Sequence, residues 1–322
     1  MSVPLRVGVV GVGHLGRHHA RLLGAMPDIR LAGVADLVLD RAQTAAGDTG
    51  AFVTSNAADL LDRVDAVTIA VPTHAHLAVA RPFLERGIHV LVEKPMAASL
   101  AEAEEMMALA AANGATLAVG HTERFNPAVA AALPILRTPR FIEVHRLSGF
   151  PERSLDIDVI FDVMIHDLDI ILAVDRSEVA AVEAIGVPVL TPKIDICNAR
   201  IRFASGAIAN ITASRISRDK VRKVRFFQPD MYVSVDYAEQ ELEVWRLTPR
   251  PGERPAIEGG KMTVARDEPL GRELADFVDA IQSGRPPLVT GLDGLRALTL
   301  ATRVADAVQA SPWPAPAEAS RA

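Results

Sequence analysis

The sequence predicts an α/β protein: an N-terminal doubly wound parallel sheet, followed by an α+β domain with a large, mainly antiparallel open sheet. Three observations lead there. The first third alternates short β-rich runs with longer helical stretches. Its strand-like runs are continuously apolar, as strands are when helices cover both faces. Beyond about residue 121, strand-like runs follow one another instead.

In order, residues 5–10 (LRVGVV) read as a strand and 14–26 as a helix. Residues 30–35 make the second strand, with a helix over 37–46. An apolar run at 66–71 stops at Pro72 and leads into a helix ending near residue 86. Residues 88–92 are another strand. Ser99 and Glu102 then form a capping box that opens a helix to about residue 112, and 116–119 closes the series. Segments 141–150, 182–190, 198–217, 223–237 and 241–247 read as strands of the second domain. Residues 204–207 (ASGA) are a hairpin signal, with Gly206 available for positive φ. Residues 248–260 read as a surface loop, and 272–282 and 293–309 as helices. The expected boundaries are 1–121 for the first domain, 122–309 for the second, and 310–322 for a disordered Pro- and Ala-rich tail.

Composition narrows the function. A net charge of −6 and a pI near 5.9 give no general attraction to nucleic acid or anionic membrane. Only Cys197 is present, which removes an internal disulfide framework and fits a reducing compartment. The first residues run straight into a strand pattern without a signal peptide, and no apolar run reaches the ~18 residues of a membrane helix. The expected location is the cytoplasm.

Chemistry enters with GVVGVGHLGRHHA, which holds Gly11-x-Gly13-x-x-Gly16 between a strand and a helix. The first glycine permits the tight turn, the second lets backbone approach a pyrophosphate, and the third lets helix and strand pack closely. The phosphate then lies at a helix N-terminus. His14 and Leu15, inside the loop, count among the cofactor contacts. Asp36 follows about 20 residues on, where a carboxylate bonds both ribose hydroxyls of NAD and repels a 2′-phosphate. This is a Rossmann fingerprint, and it predicts NAD rather than NADP, with nearby Arg41 as the residue that argues the other way.

Residues 160–172 (IFDVMIHDLDIIL) are apolar apart from a few polar positions. At ~100° per residue, Asp162, His166 and Asp169 share one narrow face, with Asp167 elsewhere. Three readings stay open: a solvated stripe, an acid/base pair facing a nicotinamide, or metal ligands. No second histidine–carboxylate cluster lies nearby in sequence to complete a metal site, so none is expected.

Together, Gly11-x-Gly13-x-x-Gly16, Pro72-Thr73-x-x-His76, Glu93-Lys94-Pro95 and Asp162-x-x-x-His166 resemble the Gfo/Idh/MocA oxidoreductase family, from residue 5 to about residue 300. The resemblance implies that Lys94, Asp162 and His166 are catalytic, with Lys94 near the reacting carbinol and His166 as acid/base. It implies that Pro72, Thr73, His76, Glu93 and Lys94 serve the cofactor, and that 120–127 (GHTERFNP) leads from cofactor domain to substrate domain. At the C-terminal end of a strand in a doubly wound sheet, Lys94 points to the ligand crevice, where its charge can steady a developing alkoxide.

The implied reaction is oxidation of a secondary alcohol by NAD. Residues 145–172 look closest to a subgroup resembling UDP-N-acetylglucosamine 3-dehydrogenases, which supply a 3-keto sugar nucleotide for amination in lipid A synthesis. Arg124, Arg146 and Arg153 are then candidates for a diphosphate, although each taken alone reads first as a surface arginine, and His121 and Asn126 for sugar contacts. Two alternatives differ in class: a dehydrogenase of a free polyol or monosaccharide such as inositol, and an NAD-binding regulator without turnover. The triad of catalytic residue types argues against the regulator. A homodimer or homotetramer through the C-terminal sheet is a further implication of the resemblance.

Overall fold

The computed structural model describes residues 4–150, 157–251 and 254–310. They form two compact units, one of residues up to Phe125 together with Asp267–Leu298, the other of Asn126–Arg266 and the residues from Thr299 on. Residues 267–298 therefore belong with the first unit, whereas the expected boundary put them with the second domain.

The first unit holds a parallel sheet of β1 (Leu5–Val10), β2 (Ile29–Ala35), β3 (Phe52–Thr54), β4 (Ala66–Ile69), β5 (His89–Glu93) and β6 (Leu117–Gly120). The strand order 3-2-1-4-5-6 places its reversal between β1 and β4, the point at which such sheets open a crevice for ligands. Four of its helices are α1 (Gly16–Ala25), α2 (Leu39–Ala46), α3 (His76–Glu85) and α4 (Leu100–Asn113). Ser99 Oγ accepts the Glu102 N–H at 3.3 Å and starts α4, as the capping box predicts; such a cap contributes about 1 kcal/mol. Val7, Val9 and Leu31 of the sheet pack with Ala20 and Leu23 of α1 into one apolar core.

The second unit contains a short helix α5 (Pro127–Ala132), β7 (Phe141–Leu147), α6 (Ile165–Val174), β8 (Val179–Val187), β9 (Ile196–Phe203), β10 (Ile208–Ser214), β11 (Val221–Gln228), β12 (Met231–Asp236), β13 (Glu241–Thr248) and β14 (Ala256–Met262). The eight strands run in the order 14-13-12-11-7-10-9-8. All neighbours are antiparallel except β7 and β10. β14 corrects the reading of 248–260 as loop: its glycines and charges hide a strand signal, yet Ala256–Met262 pairs along β13. Gly206 takes φ 86° in the hairpin between β9 and β10, as expected. One face of this sheet is buried, with Ile142, Val144, Ala199, Ile201 and Val233 fully covered.

Two helices complete the chain: α7 (Pro269–Ser283), whose Leu274, Phe277 and Val278 join the core of the first unit, and α8 (Gly291–Ala310). Arg153 and residues 311–322 of the expected tail (310–322) lie outside the described residues, and Ala310 belongs to α8.

Candidate functional site

The glycine loop joins β1 to α1. Gly11 has φ +81°, and a Cβ there would lie 2.8 Å from Ala70 O. A Cβ on Gly16 would lie 1.8 Å from Gly11 O, so helix and loop touch there. Gly13 is different: its missing Cβ faces nothing within 4 Å. That open space is where a pyrophosphate needs backbone access, and the first turn of α1 has no side-chain cap competing for it. The loop fits a dinucleotide. His14 and Leu15 are exposed beside it.

Asp36, half-buried at the end of β2, closes the loop from the other side. Its Oδ2 accepts the Val12 N–H at 2.8 Å, and its Oδ1 accepts the Val38 N–H at 2.9 Å. The carboxylate is thus aimed by two backbone donors across the loop, and Leu37, Val38 and Leu39 beyond it are exposed.

At the end of β5, Glu93 is buried and Lys94 half-buried, and the Lys94–Pro95 peptide is cis. Glu93 Oε1 meets His19 Nε2 at 3.0 Å, and Oε2 accepts the Lys94 N–H at 3.2 Å. Burial pushes the Glu93 carboxyl up, but the hydrogen bond from His19 and the neighbouring Lys94 ammonium outweigh it and hold the carboxyl below its ordinary value. Pro72 is exposed and Thr73 half-buried. His76 is buried: Nδ1 lies 3.0 Å from Pro95 O and 3.2 Å from Met96 O, while Nε2 lies 2.9 Å from Val71 O. Both ring nitrogens of His76 face backbone carbonyls, of the loop after β5 and of the end of β4, and in the neutral ring the one that carries the proton donates to its carbonyl. Burial pushes its pKa down from the ordinary 6.5 against the pull of those carbonyls.

In the second unit, α6 is entered through a π-helical turn, Ile160–Met164, closed by the Ile165 N–H on Ile160 O. The wider turn rephases Asp162 against His166 and Asp169, so straight-helix arithmetic does not hold over this segment; such turns recur at functional sites. Asp162 and His166 are half-buried, Asp169 buried. Asp167, read from sequence as pointing elsewhere, is fully buried and clamps Arg146 of β7: Nε to Oδ2 2.6 Å, Nη2 to Oδ1 3.0 Å. The guanidinium also stacks 4.8 Å over the Tyr237 ring centroid.

The remaining candidates are also inside. His121 and Arg124 are buried, with an Arg124 Nη2 3.9 Å from Asp293 Oδ1. Asn126 accepts the Ala128 N–H at 3.1 Å to cap α5 and donates to Tyr237 O at 3.0 Å. Both ends of its amide are engaged in the fold. Sequence reasoning missed His19 and the partner of Arg146, since neither neighbour is signalled by spacing. Among the described residues, no group of three or more His, Cys, Asp or Glu is placed to hold a metal, and no helix is long and apolar enough to cross a membrane.

A family model described as the oxidoreductase family with an NAD-binding Rossmann fold matches residues 5–121. The UDP-N-acetylglucosamine 3-dehydrogenase of Acidithiobacillus ferrooxidans is 38% identical over 96% of this chain and 98% of its own length. A solved structure of that enzyme superposes with a TM-score of 0.89 at 37% identity, covering 96% of this chain and 99% of the other. A scyllo-inositol 2-dehydrogenase (NAD(+)) of Bacillus subtilis is 26% identical over 91% of each chain.

Proposed function

The chain belongs to the Gfo/Idh/MocA family of NAD-binding oxidoreductases, and from that premise we propose that it oxidises the 3-hydroxyl of UDP-N-acetylglucosamine to a ketone. The observation that carries the substrate is the 38% identity with a UDP-N-acetylglucosamine 3-dehydrogenase along almost the whole of both chains. The inositol dehydrogenase is less similar at comparable coverage, which leaves a free polyol as the second reading.

NAD would be held by the loop Gly11–Gly16 with His14 and Leu15, by Asp36 at the ribose, and by Pro72, Thr73, Glu93 and Lys94 toward the nicotinamide, with His76 bracing that loop. When bound, NAD would supply the hydride acceptor that oxidation of a carbinol carbon needs. His166 takes the hydroxyl proton, and Lys94 steadies the oxygen as negative charge grows on it. Asp162 orients the basic partner. His121 and Arg124 are the remaining sugar and diphosphate candidates, together with Arg153. Arg146 is assigned instead to holding Asp167, because its guanidinium already forms a buried bidentate pair.

The product, a 3-keto sugar nucleotide, suits amination on the way to lipid A, and a cytoplasmic site of action suits the single buried cysteine. Self-association through the second unit has support on its open face. There Phe141, Phe227, Tyr232 and Trp245 stand in register on β7, β11, β12 and β13, with ring centroids 5.5 and 5.3 Å apart between the first three. Exposed Leu247 and Ile257 extend that row.

The test is NADH appearance from NAD and UDP-N-acetylglucosamine with a carbonyl trap, beside UDP-glucose, UDP-galactose and inositol, and with Lys94→Ala as control. NADH with the acetylated sugar nucleotide, lost in the variant, supports the proposal. Turnover of inositol alone replaces the substrate. Bound NAD without any turnover points to the regulator.

A further inference from the structure

Next to Lys94, β5 meets α1 through two ionisable side chains: His19, to which the proposed reaction gives no role, and Glu93. His19 stands in the first turns of α1 and is fully buried. Its Nε2 lies 3.0 Å from Oε1 of Glu93, whose side chain is only 7% exposed. The other carboxylate oxygen accepts the Lys94 N–H. Gly120 of neighbouring β6 makes the room: a Cβ there would lie 3.0 Å from the carboxyl carbon of Glu93.

Hydrogen-bond accounting sets the tautomer. Nδ1 of His19 is buried and has no partner among the described residues. A proton there would be left without an acceptor, whereas a proton on Nε2 is donated to Glu93. The imidazole therefore acts as a fixed donor to one carboxylate oxygen, leaving the second to receive Lys94. Two apolar side chains would fill the same space without the desolvation cost of a buried pair, so packing alone does not account for it.

We propose that His19 is a positioning residue for Lys94: its Nε2–H fixes the Glu93 carboxylate, and that carboxylate sets the angle at which the Lys94 backbone leaves β5. The helix that carries the glycine loop thereby also aims the lysine. This rests on the reading of Lys94 as the group beside the reacting oxygen.

The discriminating variants are His19→Gln, whose amide can donate from nearly the same place, and His19→Leu, which fills volume without donating. Hydrogen–deuterium exchange of the peptide spanning Lys94 is measured without cofactor; it is expected to be about tenfold faster in His19→Leu, with β1 and β4 unchanged. With NAD and UDP-N-acetylglucosamine, kcat is expected to fall by up to roughly 10²-fold in His19→Leu. The NADH Kd is expected to change far less than kcat, because the loop glycines and Asp36 at the pyrophosphate and ribose end are untouched, while the nicotinamide end held by Glu93 and Lys94 loosens. His19→Gln is expected to restore both exchange and kcat. Unchanged exchange in His19→Leu, acceleration spread over the whole unit, or a glutamine variant as impaired as the leucine one would each overturn the proposal. Should His19→Leu not fold, His19→Asn replaces it, being polar but too short to reach Glu93. A wild-type protein that turns over no sugar nucleotide would remove the substrate reading while the exchange measurement still decides the role of His19.

Discussion

Arg146 and Asp167 form a buried bidentate ion pair that joins β7 to α6, with Nε–Oδ2 at 2.6 Å and Nη2–Oδ1 at 3.0 Å. Removing the arginine alone takes away the counter-charge of a fully buried carboxylate. Arg146→Met is expected to lower unfolding free energy by about 3–5 kcal/mol, while Arg146→Met combined with Asp167→Leu loses clearly less. Urea denaturation of both variants checks this. Equal losses would mean that the pairing is not what the fold depends on.

The second and third glycines of the cofactor loop are expected to behave differently. Gly13→Ala places a methyl in open space, so the melting temperature stays near wild type while NADH binding weakens by about tenfold or more. Gly16→Ala drives a methyl into Gly11 O and is expected to lower both the melting temperature and NADH affinity. Thermal denaturation beside NADH fluorescence titration separates the two effects.

Asp36, proposed for the ribose of NAD, has its two oxygens aimed by the N–H groups of Val12 and Val38. Asp36→Ser removes the charge that repels a 2′-phosphate. The ratio of kcat/KM for NADP over NAD is expected to rise at least about tenfold, or about 1.4 kcal/mol. A ratio unmoved by the substitution would place cofactor choice elsewhere, with Arg41 the next residue to vary.

Stability is expected to fall on the acid side of neutrality through His89. Its Nδ1 accepts the Thr116 N–H at 2.9 Å, which protonation at that nitrogen abolishes, and burial holds its pKa below the ordinary 6.5. The unfolded chain then binds the proton first, so this contribution is complete above the unfolded value and is lost as pH falls through the folded one. His76, also lowered, acts in the same direction. His89→Asn keeps an acceptor near Nδ1 and does not titrate. Urea midpoints between about pH 7.5 and about pH 5.5 are expected to slope less in this variant than in wild type.

The parallel half of the molecule was legible because its signals are local. The apolar strands β1, β2, β4, β5 and β6, the glycine turn and the box at Ser99 each lie within a short stretch, and the structure has them at nearly the expected residues, whereas the three-residue β3 was not read. β14 was not legible, since Gly259 and Gly260 carry no β propensity and its pairing with β13 supplies the order. The face shared by Asp162 and His166 was read with a straight-helix period that the turn Ile160–Met164 does not keep.

By itself, the sequence determined the class of fold, the dinucleotide loop and the short motifs that place Lys94, Asp162 and His166 at element ends or on a helix face. Tertiary structure decided what the buried polar side chains are bonded to. Glu93 meets a histidine 74 positions away, Arg146 a carboxylate 21 positions away, and both nitrogens of His76 turn to backbone carbonyls. The reason is physical: a strand or a glycine turn is set by neighbours along the chain, whereas a buried polar group must find its partner wherever packing brings one within hydrogen-bond reach.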